Sequence, residues 1–165
     1  MIILLMGVSG SGKTTVGSLL AARLNWPFFD ADEFHPQANI DKMARGVPLT
    51  DEDRQPWLRA IRDKMSDLER NDTSAVLSSS ALKRDYRDLL LEGDDAVELV
   101  YLKGSYSLLG SRLETREHHF FKPELLKSQF EALQEPQNAL VVMVDQNPDA
   151  IVAEILAALE PAPKT

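Results

Sequence analysis

The sequence predicts an α/β, doubly wound domain in which a parallel sheet carries helices on both faces. Three features predict it. Short apolar runs alternate with amphipathic stretches along the chain, the order expected of strand–helix–strand units. Three of these runs (Ile2 to Leu5, Val97 to Leu102 and Leu140 to Val144) are apolar at nearly every position, so both of their faces call for burial. The first run also enters a glycine-rich turn and then a helical stripe without a break.

Taken in order, strands are expected at Met1 to Met6, Pro27 to Asp30, Ser74 to Ser78, Val97 to Lys103 and Ala139 to Val144. Val16, Leu19, Leu20 and Leu24 share one helical face, as do Leu58, Ile61, Met65 and Leu68. Ile151, Ile155 and Leu159 form a third stripe, with Asn147 placed to cap it and Pro148 in its first turn. An all-helical bundle would need longer apolar runs. The chain has 165 residues, which suits one domain. That domain is expected over residues 1–160, with a flexible tail from Pro161 to Thr165.

Composition narrows the function. Hydrophobic residues make up 44% and charged residues 27%, values that allow a substantial core. A formal net charge of −8 lacks the basic face of a nucleic-acid binder. The absence of cysteine excludes disulfides, thiolate metal sites and cysteine nucleophiles. No run approaches the roughly 20 apolar residues that span a bilayer, and Ile2 to Met6 is too short for a signal peptide. A soluble, cytoplasmic protein with neither a nucleic-acid nor a membrane partner is the expectation.

The strongest motif is Gly7-Val8-Ser9-Gly10-Ser11-Gly12-Lys13-Thr14, which fits G-x-x-x-x-G-K-[ST]. Glycines let the backbone turn tightly and aim N–H groups inward as an anion nest. The helix that follows, beginning near Thr15 and Val16, adds positive potential at its N-terminus. Lys13 can reach the β- and γ-phosphates, and the Thr14 hydroxyl can ligate Mg²⁺. Residues 7–15 therefore read as an ATP site. The motif leaves the phosphate acceptor open.

Asp30 and Asp32 follow the second strand, and ligands gather at the carboxyl ends of strands in open α/β sheets. Two apart on an extended segment, they would project to the same side. Asp30 then reads as a support for Mg²⁺, directly or through water. Asp32 reads as the group that orients the acceptor hydroxyl and takes its proton. Helix-capping acids in a solvated loop are the competing reading.

Further along lie His35-Pro36-Gln37-Ala38-Asn39-Ile40-Asp41-Lys42-Met43 and Gly46-Val47-Pro48-Leu49-Thr50-Asp51-Glu52-Asp53-Arg54-Gln55-Pro56-Trp57-Leu58. With the phosphate loop, these resemble the gluconokinase family, whose members carry H-P-x-x-N-x-x-K-M and G-x-P-L-x-D-x-D-R-x-P-W-L in this order. The likeness continues through Ser80-Ala81-Leu82-Lys83, Tyr86-Arg87, Tyr101-Leu102-Lys103-Gly104, Ser111-Arg112-Leu113, His119-Phe120-Phe121 and Gln129 to Pro136. It covers nearly the whole chain. Ser79 departs from it, since many relatives have cysteine there.

The resemblance implies ATP-dependent phosphorylation of D-gluconate on its terminal hydroxyl, giving 6-phosphogluconate. It also implies a three-layer, nucleoside-monophosphate-kinase-like fold with a central five-stranded parallel sheet, a mobile lid near residues 112–124 and a homodimer. A polyol acid needs cations and many hydrogen-bonding groups. Arg54 offers a bidentate fork for a carboxylate, whereas Thr50-x-x-Asp53 reads first as a capping box. His35 is a candidate acceptor ligand or a satisfied polar group. Ser80 and Lys83 follow the third strand, and Lys83 is either a substrate contact or part of a solvated helix face. Arg112 and Arg116 are candidate ATP contacts, Arg116 as the main lid arginine, with His119 a candidate acceptor contact. An exposed basic helix end is the alternative for that segment. Rival functions are a kinase of the same shape for shikimate or a nucleotide, and a nucleotide-dependent switch.

Overall fold

The computed structural model describes residues 1–92, 96–115 and 123–159. Five parallel strands, β1 (Ile2–Met6), β2 (Phe28–Asp30), β3 (Ala75–Ser79), β4 (Val97–Lys103) and β5 (Leu140–Met143), lie in the order β2-β3-β1-β4-β5. Registers Met6 to Ser79 and Met6 to Tyr101 bring the carboxyl ends of the central strands to one rim. The α/β expectation holds. Its boundaries move by a residue, most visibly at β3, which starts at Ala75 rather than Ser74.

Seven helices connect the described strands: α1 (Lys13–Leu24), α2 (Gln37–Ala44), α3 (Asp51–Arg70), α4 (Arg84–Leu91), α5 (Tyr106–Glu114), α6 (Pro123–Ala132) and α7 (Pro148–Leu159). The period-two alternation of β1 sends its side chains to two cores. Ile3 and Leu5 pack with Val16 and Leu20 of α1, Leu109 and Leu113 of α5, Leu126 of α6, and Ile151 and Ile155 of α7. Ile2, Leu4 and Met6 pack with Trp57, Leu58, Ile61 and Met65 of α3 and with Tyr86 and Leu90 of α4. The helical stripes read from the sequence are the faces that meet the sheet. Asn147 accepts the Ala150 N–H at 2.9 Å, so it caps α7 as expected.

One expectation fails. Leu140 to Val144 is not buried on both faces, because β5 is an edge strand that leaves Val141 and Met143 exposed. Val142 and Val144 alone turn fully inward. An apolar run signals a strand without saying whether it is central.

The segment after α6 is strapped across the rim. Gln134 donates its N–H to Leu82 O at 2.9 Å and accepts from the Arg84 N–H through Oε1 at 2.6 Å. Buried Arg87 donates to the carbonyls of Ala81, Leu82 and Gln134 at 2.9, 2.9 and 2.6 Å. Next to it Glu135 pairs with Lys103 at 2.8 Å and accepts from Tyr101. Burial first, and then Glu135, push the Tyr101 phenol up to about 12. Arg87→Met would leave the Ala81 and Gln134 carbonyls without this donor and take one of two from Leu82, so we expect about 2–4 kcal/mol less unfolding free energy in urea titrations. A loss under about 0.5 kcal/mol, the usual scale of an inert surface change, would contradict that role.

Candidate active site

The phosphate loop occupies the turn from β1 to α1. Gly12 is the N-cap of α1 and sits at φ 90°, a left-handed conformation that disfavours any residue with a Cβ. Gly7 is required for a different reason. A Cβ there would lie 2.6 Å from Ser11 Oγ and 2.8 Å from the Leu102 carbonyl. Among the described residues Ser11 Oγ is buried without a hydrogen-bond partner. Lys13 curls over the loop, with Nζ donating to Gly7 O at 2.9 Å and Val8 O at 3.1 Å.

Two amides of the loop bond within the protein. The Ser11 N–H donates to Val8 O at 3.2 Å, and the Ser9 N–H donates to Gln129 Oε1 at 2.7 Å. These two amides brace the loop. Behind Gly12 the first turn of α1 opens with Lys13, Thr14 and Thr15. Thr14 and Thr15 are exposed there.

Asp30 ends β2 and does two things with one carboxylate. Oδ2 accepts from Thr14 Oγ1 at 3.0 Å, and Oδ1 accepts from the Asp32 N–H at 3.0 Å. The second bond caps a 3-10 turn over Ala31–Phe34. Asp32 is therefore in that turn, not two along an extended strand, and the cap brings the acids together. Asp32 is exposed, yet its carboxyl is held above the usual aspartate value. Desolvation is the main cause and the charge of Asp30 the next, with Lys13 opposing both.

The acceptor side is built on aromatic packing. His35 stacks on Trp57 with centroids 4.5 Å apart and planes 10° from parallel. Trp57 is buried, and its Nε1 donates to Ala31 O at 2.7 Å, anchoring the turn that carries Asp32. Asn39, also buried, donates through Nδ2 to Asp53 O at 2.8 Å and to His35 Nδ1 at 3.2 Å. A carbonyl can only accept, so the first bond sets the Asn39 amide orientation. The second then makes Nδ1 of His35 an acceptor and puts the proton on Nε2. Desolvation first, and Arg54 second, lower the His35 pKa. His35 is a neutral Nε2–H donor.

Thr50 and Asp53 form the expected capping box, with reciprocal bonds of 2.9 and 3.1 Å. Asp53 is also gripped by Lys42 through both oxygens, at 2.9 and 2.8 Å. Arg54 donates to Leu49 O at 2.7 Å and lies over the Tyr86 ring. Lys83 is held in an exposed ion pair. Its Nζ donates to Asp51 Oδ1 at 2.8 Å, and the Tyr86 hydroxyl donates to the same oxygen. The Lys83 bond is the largest of the influences that hold Asp51 below its usual carboxylate value. Ser80 follows β3 directly, beside Ala81, whose φ of 38° marks a forced bend. Arg112 is directed to the Val144 carbonyl, while its neighbour Leu113 packs against Gly10 of the loop. Arg116, His118, His119 and Lys122 lie outside the described residues.

Comparisons with known proteins give the family. A family model described as shikimate kinase matches residues 9–160. The thermoresistant gluconokinase of Escherichia coli (strain K12) is 45% identical over 163 residues, covering 96% of this chain and 93% of that one. The gluconokinase of Gluconobacter oxydans (strain 621H) is 42% identical over 157 residues, covering 93% and 88%. The crystal structure of a gluconokinase from Sinorhizobium meliloti 1021 matches with a TM-score of 0.86 at 43% identity, covering 95% and 90%. The chain belongs to the gluconokinase family. The shikimate kinase of Aquifex aeolicus, at 21% identity and a TM-score of 0.58, shares the fold.

Sequence reasoning missed three residues of this gluconokinase-family site. Asn39 lies four after His35, one helical turn away, and that spacing was the available signal. Trp57 stood only within a family segment and was given no site role, although it anchors the turn of Asp32 and stacks on His35. Gln129 stood in a stretch of family likeness, with nothing local to link it to the phosphate loop. An NMR titration is expected to place the His35 pKa below the ordinary value of about 6.5. Arg54→Met should raise it part of the way, since desolvation remains. An unchanged value in that variant would remove Arg54 from the electrostatics of the site.

Proposed function

We propose that this protein transfers the γ-phosphoryl group of ATP to the terminal hydroxyl of D-gluconate, giving 6-phospho-D-gluconate and ADP. The observation that carries the reading is the contact of Thr14, Asp30 and Asp32. It joins the phosphate loop to a carboxylate with a raised pKa, beside a neutral histidine and the cations Arg54 and Lys83. Membership of the gluconokinase family supports the choice of acceptor. Residues 7–15 hold the triphosphate. Thr14 and Asp30 are the pair for Mg²⁺, one hydroxyl and one carboxylate, a donor set suited to an ion that keeps most of its waters. Bound there, the ion would neutralise phosphate charge.

The protein's own part is positioning and charge compensation. Asp32 accepts the proton of the gluconate hydroxyl as its oxygen bonds to the γ-phosphorus and the bond to the ADP oxygen breaks. His35 donates through Nε2–H to an acceptor oxygen. Arg54, Lys83 and Ser80 supply donors for the sugar acid, and Lys13 offsets charge on the transferring group. Arg112, Arg116 and His119 extend the proposal to a lid near residues 112–124, on sequence grounds. An ATP-using sugar-acid kinase suits the cytoplasm. The exposed apolar edge at Val141 and Met143 supports a homodimer.

Purified protein with ATP and Mg²⁺ should release ADP when given gluconate, and not with shikimate or nucleoside monophosphates. Release with shikimate alone would transfer the proposal to that acceptor. Asp32→Asn should lower kcat by about 10²–10⁴-fold, the range for a lost general base, and leave ATP affinity near wild type. The active form of Asp32 is ionised, so the rate falls as pH drops through its raised pKa. The acid limb should lie above the ordinary aspartate value of about 3.9, and Asp32→Asn should abolish it.

A further inference from the structure

The stretch Gln129 to Pro136 carries family resemblance, but the reaction chemistry leaves it without a role. Its placement supplies one. Gln129 of α6 meets Ser9 of the phosphate loop across 120 residues of sequence. The Ser9 N–H donates to Gln129 Oε1 at 2.7 Å, and Gln129 Nε2 donates to Ser9 Oγ at 2.8 Å. One amide that accepts from a residue's backbone and donates to its side chain fixes both its peptide plane and its rotamer. Leu126 is buried in the core, and Phe130 packs edge-on to Tyr106 of α5 at 5.3 Å. The helix is thus seated firmly on either side of Gln129.

Just beyond α6, Gln134 is bonded to Leu82, Arg84 and Arg87 at 2.9, 2.6 and 2.6 Å. Leu82 and Arg84 flank Lys83, and Arg87 lies one helical turn on. A single helix with its exit therefore touches the phosphate-donor loop at one point and the acceptor rim at another. We propose that Gln129 is a positioning residue for phosphoryl transfer, setting the phosphate loop at a fixed distance from the Ser80–Lys83 turn by gripping Ser9. It acts through Ser9. The inference rests on the gluconate kinase reading, and it matters because in-line transfer depends steeply on how donor and acceptor are spaced.

Steady-state kinetics on Gln129→Met, Ser9→Ala and the double variant test it, with thermal unfolding run alongside. Gln129→Met is close in shape and removes both bonds. It should lower kcat by about tenfold or more, while the KM for gluconate and the unfolding temperature stay near wild type. Ser9→Ala removes the hydroxyl half of the grip and should lower kcat less. The double variant should be no slower than Gln129→Met, since groups acting as one unit are not additive. Unchanged kcat in either single variant overturns the proposal. So do losses that multiply in the double variant, and so does a faster Gln129→Met enzyme, which would make the contact a latch that has to open. Wild-type protein inactive on gluconate would defeat the functional reading instead, whereas active wild type with an indifferent Gln129→Met defeats only this inference.

Discussion

The whole arrangement depends on the chain turning out of a fully buried central strand with almost no side-chain volume. β1 is enclosed on both faces, so its exit must pass over the sheet edge and start a helix at once. Gly7 sits against Ser11 and the Leu102 carbonyl with no room for a Cβ, and Gly12 turns the backbone at φ 90° into α1. That turn brings helix-end amides, the Lys13 ammonium and the Thr14 hydroxyl to one rim. Anion binding at such a point needs no special side chain beyond these.

Around this turn, groups that hold the fold also prepare the site. The Asp30 carboxylate caps a 3-10 turn and engages Thr14. Trp57 fills the core, anchors Ala31 and carries the His35 ring. The Asn39 amide is oriented by a backbone carbonyl and in turn decides which nitrogen of His35 holds the proton. Chemistry is thereby fixed by packing. A raised Asp32 and a lowered His35 follow from being next to Asp30 and Arg54 in partly desolvated positions.

Much of this was legible in the residues. Strand runs, helical stripes and the glycine motif depend on local rules, and those rules located the β1 turn, the Asn147 cap and the Thr50–Asp53 capping box. What escaped were facts of tertiary arrangement. The apolar pattern of Leu140 to Val144 could not reveal that β5 is the edge strand among the described residues. The meeting of Ser9 with Gln129 had no local sign, since no local rule links residues 120 apart. Lys83 reads as a free cation until the start of α3 delivers Asp51 to it.

The central claim is that the backbone of this turn grips a triphosphate. Titration calorimetry of ATP with Mg²⁺ against wild type and Gly7→Ala tests it most directly, with circular dichroism to confirm that the sheet survives. The account predicts clear binding heat for wild type and none for a folded Gly7→Ala protein at concentrations that saturate the wild type. Equal affinity in the two would mean that the loop is not where the nucleotide is held.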